Sequence, residues 1–200
     1  MSGSNPLSDH PTALESAMSM NKVQRFLSVV LLAALPAAAS AALKARAPAQ
    51  VNFVALGPAG LRIEGKSNEL QVTDRPDALV ITVPLGKLDT GISLRDHHMH
   101  EKYLETPKYP NAQLAVARNA IKFPADGQTT EGTVPATLAF HGKSKTVPVH
   151  YKASRSGKAY DVKGDLKVDF RDFGIEVPNY LGATVKPPVD VTVAFVLDET

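Results

Sequence analysis

Residues 159–170 read AYDVKGDLKVDF, and their alternation constrains the fold more than any other feature of the chain. Tyr160, Val162, Leu166, Val168 and Phe170 share one face, while Asp161, Lys163, Asp165, Lys167 and Asp169 share the other. Successive side chains of a strand point to opposite sides, so the segment predicts a strand with one buried and one wet face. Residues 189–197 repeat the pattern, with Val189, Val191, Val193, Phe195 and Leu197 set against Asp190 and Thr192. Shorter alternations occupy 61–64, 79–85, 114–116, 134–140 and 147–151. Between them, Asp126-Gly127, Ser156-Gly157 and residues 142–144 supply turn chemistry that tolerates positive φ. Pro76 ends a run by withholding a ladder donor. Many short strands joined by tight turns predict an all-β antiparallel barrel or sandwich, and the pattern leaves that choice open. One helix is expected over 94–104, where Ser93 and Asp96 fit a capping box and no Gly or Pro intervenes before Pro107.

The first fifty residues follow other rules. Lys22 and Arg25 form a basic region, residues 26–35 an apolar one, and Ala39-Ser40-Ala41 supplies the small residues that signal peptidases require. This reads as a signal peptide over 20–41, cleaved after Ala41, with a mature chain that starts at Ala42 in the periplasm. The apolar run is shorter than the ~20 residues that span a bilayer, so no integral membrane segment is expected after cleavage. Residues 1–19 are polar and unpatterned, which suggests that translation starts at Met18 or Met20. Residues 42–50, rich in Ala and Pro, read as a linker to a single domain over 51–200.

Composition removes several functions. The chain has no cysteine, so disulfides, thiolate catalysis and thiolate metal sites are excluded. Its charge of +2 is spread along the sequence rather than gathered into a basic stripe, and no nucleic-acid partner is expected. The segment GLRIEGKS at 60–67 matches the literal phosphate-loop pattern, but its interior alternates like a strand and no helix pattern follows, so it reads as chance. The run His97-His98-Met99-His100-Glu101, with His141 and His150 elsewhere, has the residue types of a metal site without a HExxH-type spacing. It reads as a polar turn in which Asp96 or His98 bonds to backbone, and no metal is assigned. No G-x-S-x-G elbow appears, and Asp172-Phe173-Gly174 lacks every other kinase element, so no catalytic residue is assigned.

Three blocks carry a resemblance. LDTGISLRDHHMHEKYLETPKYP at 88–110 contributes Leu88, Thr90, Gly91, Arg95, Asp96, His98, Met99, Tyr109 and Pro110. TLAFHGKSKTVPV at 137–149 and DFRDFGI at 169–175 follow in order. Together they resemble the YceI-like family of exported, lipocalin-like β-barrels associated with polyisoprenoid binding. The resemblance implies an antiparallel barrel of about eight strands with a short helix over its mouth, in which residues 172–175 end a strand and seal the barrel. It implies a non-catalytic carrier of an isoprenoid or other long-chain lipid, with no cofactor beyond that lipid or a quinone.

On this reading the lumen is lined by Phe53, Leu61 and Ile63, by Leu79, Ile81 and Val83, and by Leu114 and Val116. Leu138, Phe140, Val149 and Tyr151 follow, then Tyr160, Val162, Leu166, Val193 and Phe195. The cap is Leu94, Arg95, Asp96, His98, Met99, Tyr103 and Leu104. An eight-stranded barrel has room for its own side chains or for one small ligand, so a filled core stays open beside an open lumen. A quinone-linked redox or stress accessory, a ligand-free interaction domain and a homodimer stay open as well.

Overall fold

The structure, a computed structural model, describes residues 42–180 and 183–200. The N-terminal extension and the leader read from the sequence lie outside the described residues. The strands are β1 (Leu43–Leu56), β2 (Arg62–Ser67), β3 (Gln71–Asp74), β4 (Ala78–Pro84) and β5 (Asn111–Ala117). They continue with β6 (Thr129–Phe140), β7 (Lys143–Ser156), β8 (Ala159–Val168), the short pair β9 (Asn179–Tyr180) and β10 (Ala183–Thr184), and β11 (Lys186–Glu199). Neighbours from β3 to β8 pair antiparallel in chain order, β11 adds to β8, and β1 pairs β11 to close an eight-stranded barrel. Closure removes the exposed edges that make open sheets liable to aggregate.

The two strongest alternations fall on the neighbouring strands β8 and β11, in a register that places like faces together. Tyr160 lies opposite Leu197, Val162 opposite Phe195, and Leu166 opposite Val191. Their wet faces also meet, and Lys167 pairs with Asp190 at 2.5 Å. Tight turns hold this register. The β6–β7 hairpin turns on His141 and Gly142, with φ of 48° and 74°, one residue earlier than the sequence suggested. Two successive positive φ values match the right-handed twist of the flanking strands.

Residues 42–50, read as linker, instead enter the barrel, with β1 beginning at Leu43. Leu43 and Ala49 are buried, and Leu43 lies opposite Glu199 and Ala45 opposite Leu197. Pro48 disguised this strand. A proline offers no N–H to a ladder, and it sits where the β1–β11 register shifts between Arg46 and Gln50. The position beside β1 is shared by β2 and β3, whose ladders meet different halves of that long strand. The phosphate-loop match falls mostly on β2, with no helix after it.

Candidate ligand cavity and its cap

Inward side chains of the barrel do two different things along its axis. In one half they enclose an apolar cavity of about 490 Å³. Its walls include Val51 and Phe53 of β1, Ile81 and Val83 of β4, and Leu166 and Val168 of β8. Of the residues expected at the lumen, Phe53, Leu61, Ile63, Ile81, Val83, Leu114, Leu138, Phe140, Leu166 and Val193 line it. Phe53 lies flat on the wall because the facing residue is Gly65, where a Cβ would come within 2.2 Å of the ring. The glycine thereby keeps the ring out of the lumen.

The remaining expected residues do not reach the cavity, and this corrects the lumen read from the sequence. Leu79, Val116, Val149, Tyr151, Tyr160, Val162 and Phe195 face inward in the other half, which side chains fill. Phe123 enters from the loop before β6 and meets the Tyr160 ring edge-on at 5.8 Å. The polar tips of both tyrosines are satisfied there. Tyr151 Oη accepts the Lys122 N–H at 2.9 Å, and Tyr160 Oη donates to Glu199 Oε1 at 2.5 Å. Burial, with the Glu199 charge beside it, pushes the Tyr160 phenol above its ordinary range and keeps it neutral. Arg155 reaches Glu199 at 3.0 Å, and Arg118 pairs with Asp74 at the same end. Polar groups thus close that end over an aromatic plug.

The cap forms at the open end, with internal geometry different from that expected. The helix α1 (Ser93–His97) runs into a π-helical turn, His98–Tyr103, rather than continuing as α-helix to 104. Ile92, not Ser93, is the N-cap residue, and no side chain caps α1. Asp96 reaches back instead to Thr90, accepting its N–H at 2.9 Å and its hydroxyl at 2.5 Å. Arg95 clamps the same residue, donating from Nε to Thr90 Oγ1 at 2.8 Å and from Nη2 to Thr90 O at 2.7 Å. Burial pushes the Asp96 carboxyl up, but the two Thr90 donors and nearby His100 outweigh it and hold the group below the ordinary carboxylate range. Three side chains therefore fix the loop that leads into the cap.

Leu94, Arg95, His98, Met99, Tyr103 and Leu104 all border the cavity, whereas Asp96 faces away into the Thr90 network. Asp96, expected as one candidate to bond backbone, does so through the Thr90 N–H. A second such contact comes from His100, whose Nε2 donates to Leu88 O at 2.9 Å. Tyr103 ties the cap to β9, with its hydroxyl 3.3 Å from Asn179 N and 3.4 Å from Asn179 O. Among the described residues, no group of three or more His, Asp or Glu side chains is placed to hold a metal.

The Asp-Phe-Gly-Ile segment ends a 3-10 turn, Phe170–Phe173, that follows β8, rather than ending a strand. Asp169 caps it by accepting the Arg171 N–H at 3.1 Å, and Gly174 leaves it at φ 77°. Phe173 is buried against Phe140 with ring centroids 5.3 Å apart, while Phe170 and Ile175 border the cavity. The sequence also missed Val168, Val189 and Val191, although the same alternation reaches them. Pro178, Asn179 and Thr184 border the cavity as well, from a segment with no periodic signal at all.

Residues 45–197 match the model of the YceI-like domain. A polyisoprenoid-binding domain from Saccharophagus degradans, implicated in plant cell wall breakdown, superposes with a TM-score of 0.68 at 18% identity, over 80% of this chain and 100% of that one. BcnA from Burkholderia cenocepacia superposes with a TM-score of 0.58 at 19% identity, over 74% of this chain and 95% of that one. At such identities the two neighbours establish a shared fold.

Proposed function

The chain belongs to the YceI-like family, and from that premise we propose that it is a non-catalytic binding protein that holds the apolar tail of an isoprenoid or other long-chain lipid in the open half of its barrel. The observation that carries this reading is the apolar cavity of about 490 Å³, within the range of about 300–1,000 Å³ usual for small-molecule sites. Removing one five-carbon unit from water contributes at most roughly 4 kcal/mol, from about 0.8 kcal/mol per carbon. Two or three such units outweigh an ordering and association cost of several kcal/mol. The polyisoprenoid-binding role of the Saccharophagus domain points the same way.

A quinone is a second reading, favoured by Arg95. Its Nε and Nη2 donate to Thr90 at the cavity wall, and the guanidinium has further N–H groups to offer the carbonyl of a ligand head. We further propose export, with cleavage after Ala41. The barrel's first strand begins at Leu43, so such cleavage removes none of it. Organic extraction of purified protein followed by mass spectrometry tests the function. A stoichiometric isoprenoid or long-chain lipid is expected, with quinone absorbance marking the second reading. Protein that stays empty after incubation with such lipids would overturn both.

A further inference from the structure

The large hydrophobic side chains left exposed among the described residues are Leu56, Leu61, Ile92, Leu94 and Val177. They are not scattered. Leu61, Ile92 and Leu94, each more than half exposed, also border the cavity. Leu56 follows Ala55, and Val177 precedes Pro178, both of which border it too. Three separate stretches of chain thus bring their exposed apolar side chains to the one end where the barrel opens. Isolated exposed hydrophobics are ordinary, whereas a grouped set marks an interaction surface.

We propose that this collar docks on the surface of a lipid bilayer, so that the mouth opens directly into the acyl region. The inference rests on the lipid-carrier reading above. Its occupant follows from continuity between collar and cavity. A protein partner seated on the collar would stopper the mouth. A bilayer would instead offer the lumen a tail that never crosses water. The charges beside the collar are of both signs. Arg62 follows Leu61 and pairs with Glu64 at 3.0 Å, Lys186 lies opposite Leu56, and Glu176 precedes Val177. This fringe suits a zwitterionic surface better than a strongly anionic one. Docking therefore draws on apolar insertion and changes little with salt.

The chain contains no tryptophan, so a single introduced one is an unambiguous reporter. The test uses the full chain with Leu94→Trp at the collar, or with Lys158→Trp at the hairpin of the plugged end. Vesicles are made of brominated phosphatidylcholine and contain no isoprenoid. Only the Leu94→Trp emission should shift to the blue and be quenched. Adding Leu61→Ser and Ile92→Ser to it should weaken vesicle partitioning at least about tenfold. Because Leu56 and Val177 lie outside the cavity wall, Leu56→Ser with Val177→Ser should weaken partitioning while leaving extractable lipid unchanged.

Absence of quenching at residue 94, equal quenching at both positions, or undiminished partitioning of the serine variants would overturn the proposal. A concentration-dependent blue shift without vesicles would overturn it too, by showing a second copy on the collar. Because partitioning is read by co-sedimentation of the protein with the vesicles, which a tail withdrawn into the lumen does not produce, docking is read independently of lipid extraction. Docking by a chain that never retains lipid would sink the carrier reading alone.

Discussion

The two halves of the barrel are built from the same strands with the same alternation, yet one is solid and the other hollow. In the solid half, Tyr151, Tyr160 and Phe195 are buried in the core, and Phe123 packs against it with its ring on that of Tyr160. In the hollow half the aromatics are held at the wall, Phe53 over Gly65 and Phe140 against Phe173. The rest of that wall is largely Val, Leu and Ile, too short to meet across the lumen. What decides between core and cavity is therefore the size of inward side chains and what lies beneath each ring. Binary pattern alone does not decide it.

The largest expected effect tests the plug. Phe195→Ala should cost about 3–5 kcal/mol, because neighbours packed on every side cannot collapse into the void. Phe53→Ala removes the same ring from the hollow half, where it already borders open space, and should cost under about 2 kcal/mol. Denaturant melts of both variants check the contrast. Equal losses would mean that the two halves are equally packed.

Next in size is a charge on each side of one strand. Leu166 borders the cavity with 8% of its surface exposed, and Leu166→Glu should destabilise by several kcal/mol and abolish lipid retention. The neighbouring Lys167 has 71% of its side chain exposed. Lys167→Glu places like charge opposite Asp190, so a loss of roughly 0.2–1 kcal/mol is expected, with lipid retention intact. Thermal melting and extractable lipid separate the two.

Much of this contrast was legible in the sequence, and its boundary was not. Alternation in β8 and β11 exposed the inward faces, because period-two burial leaves a mark in any half-wet strand. It could not say where along those faces the plug ends, since Phe195 and Val193 look alike to a binary pattern and differ only in what they meet. β1 was partly hidden by Pro48 at its register shift. The cap was visible as a place, and with it the bond from Asp96 to backbone, but the capping box was misread. Ser93 and Asp96 have capping-box spacing, yet the Thr90 hydroxyl and N–H compete better for that carboxylate. The collar residues Ile92 and Leu94 left no periodic signal, because a helix N-cap and a single helical turn are too short to show which side is exposed.

The cap offers a smaller, sharper perturbation. His100→Ala should cost about 1 kcal/mol by removing the bond to Leu88 O, whereas His97→Ala, at an exposed position, should be near neutral. Acid should act on the same segment through Asp96. Its folded pKa lies below the ordinary aspartate range, so its contribution is present above that range and is lost as pH falls through the lower folded value. Protection of the Thr90 amide, taken as its exchange relative to an unstructured peptide at the same pH, should hold through neutral and mildly acid pH and fall only at the acid end. Unchanged protection there would show that Asp96 does not hold the loop.

The smallest effect on stability is the most informative about the hollow half. Leu166→Phe adds bulk without polarity at a position that borders the cavity. In a filled barrel the extra ring would overpack and cost roughly 1–3 kcal/mol. Here it can occupy space that the lumen already holds, so stability should stay within the range of an ordinary exposed substitution, about 0.5 kcal/mol. The ligand, not the fold, should register the change. Extracted lipid should become shorter or less abundant than from the unaltered chain, because the ring narrows the path between the mouth and the plug. A strong loss of stability with unchanged lipid would place Leu166 in solid core and extend the plug through the whole barrel.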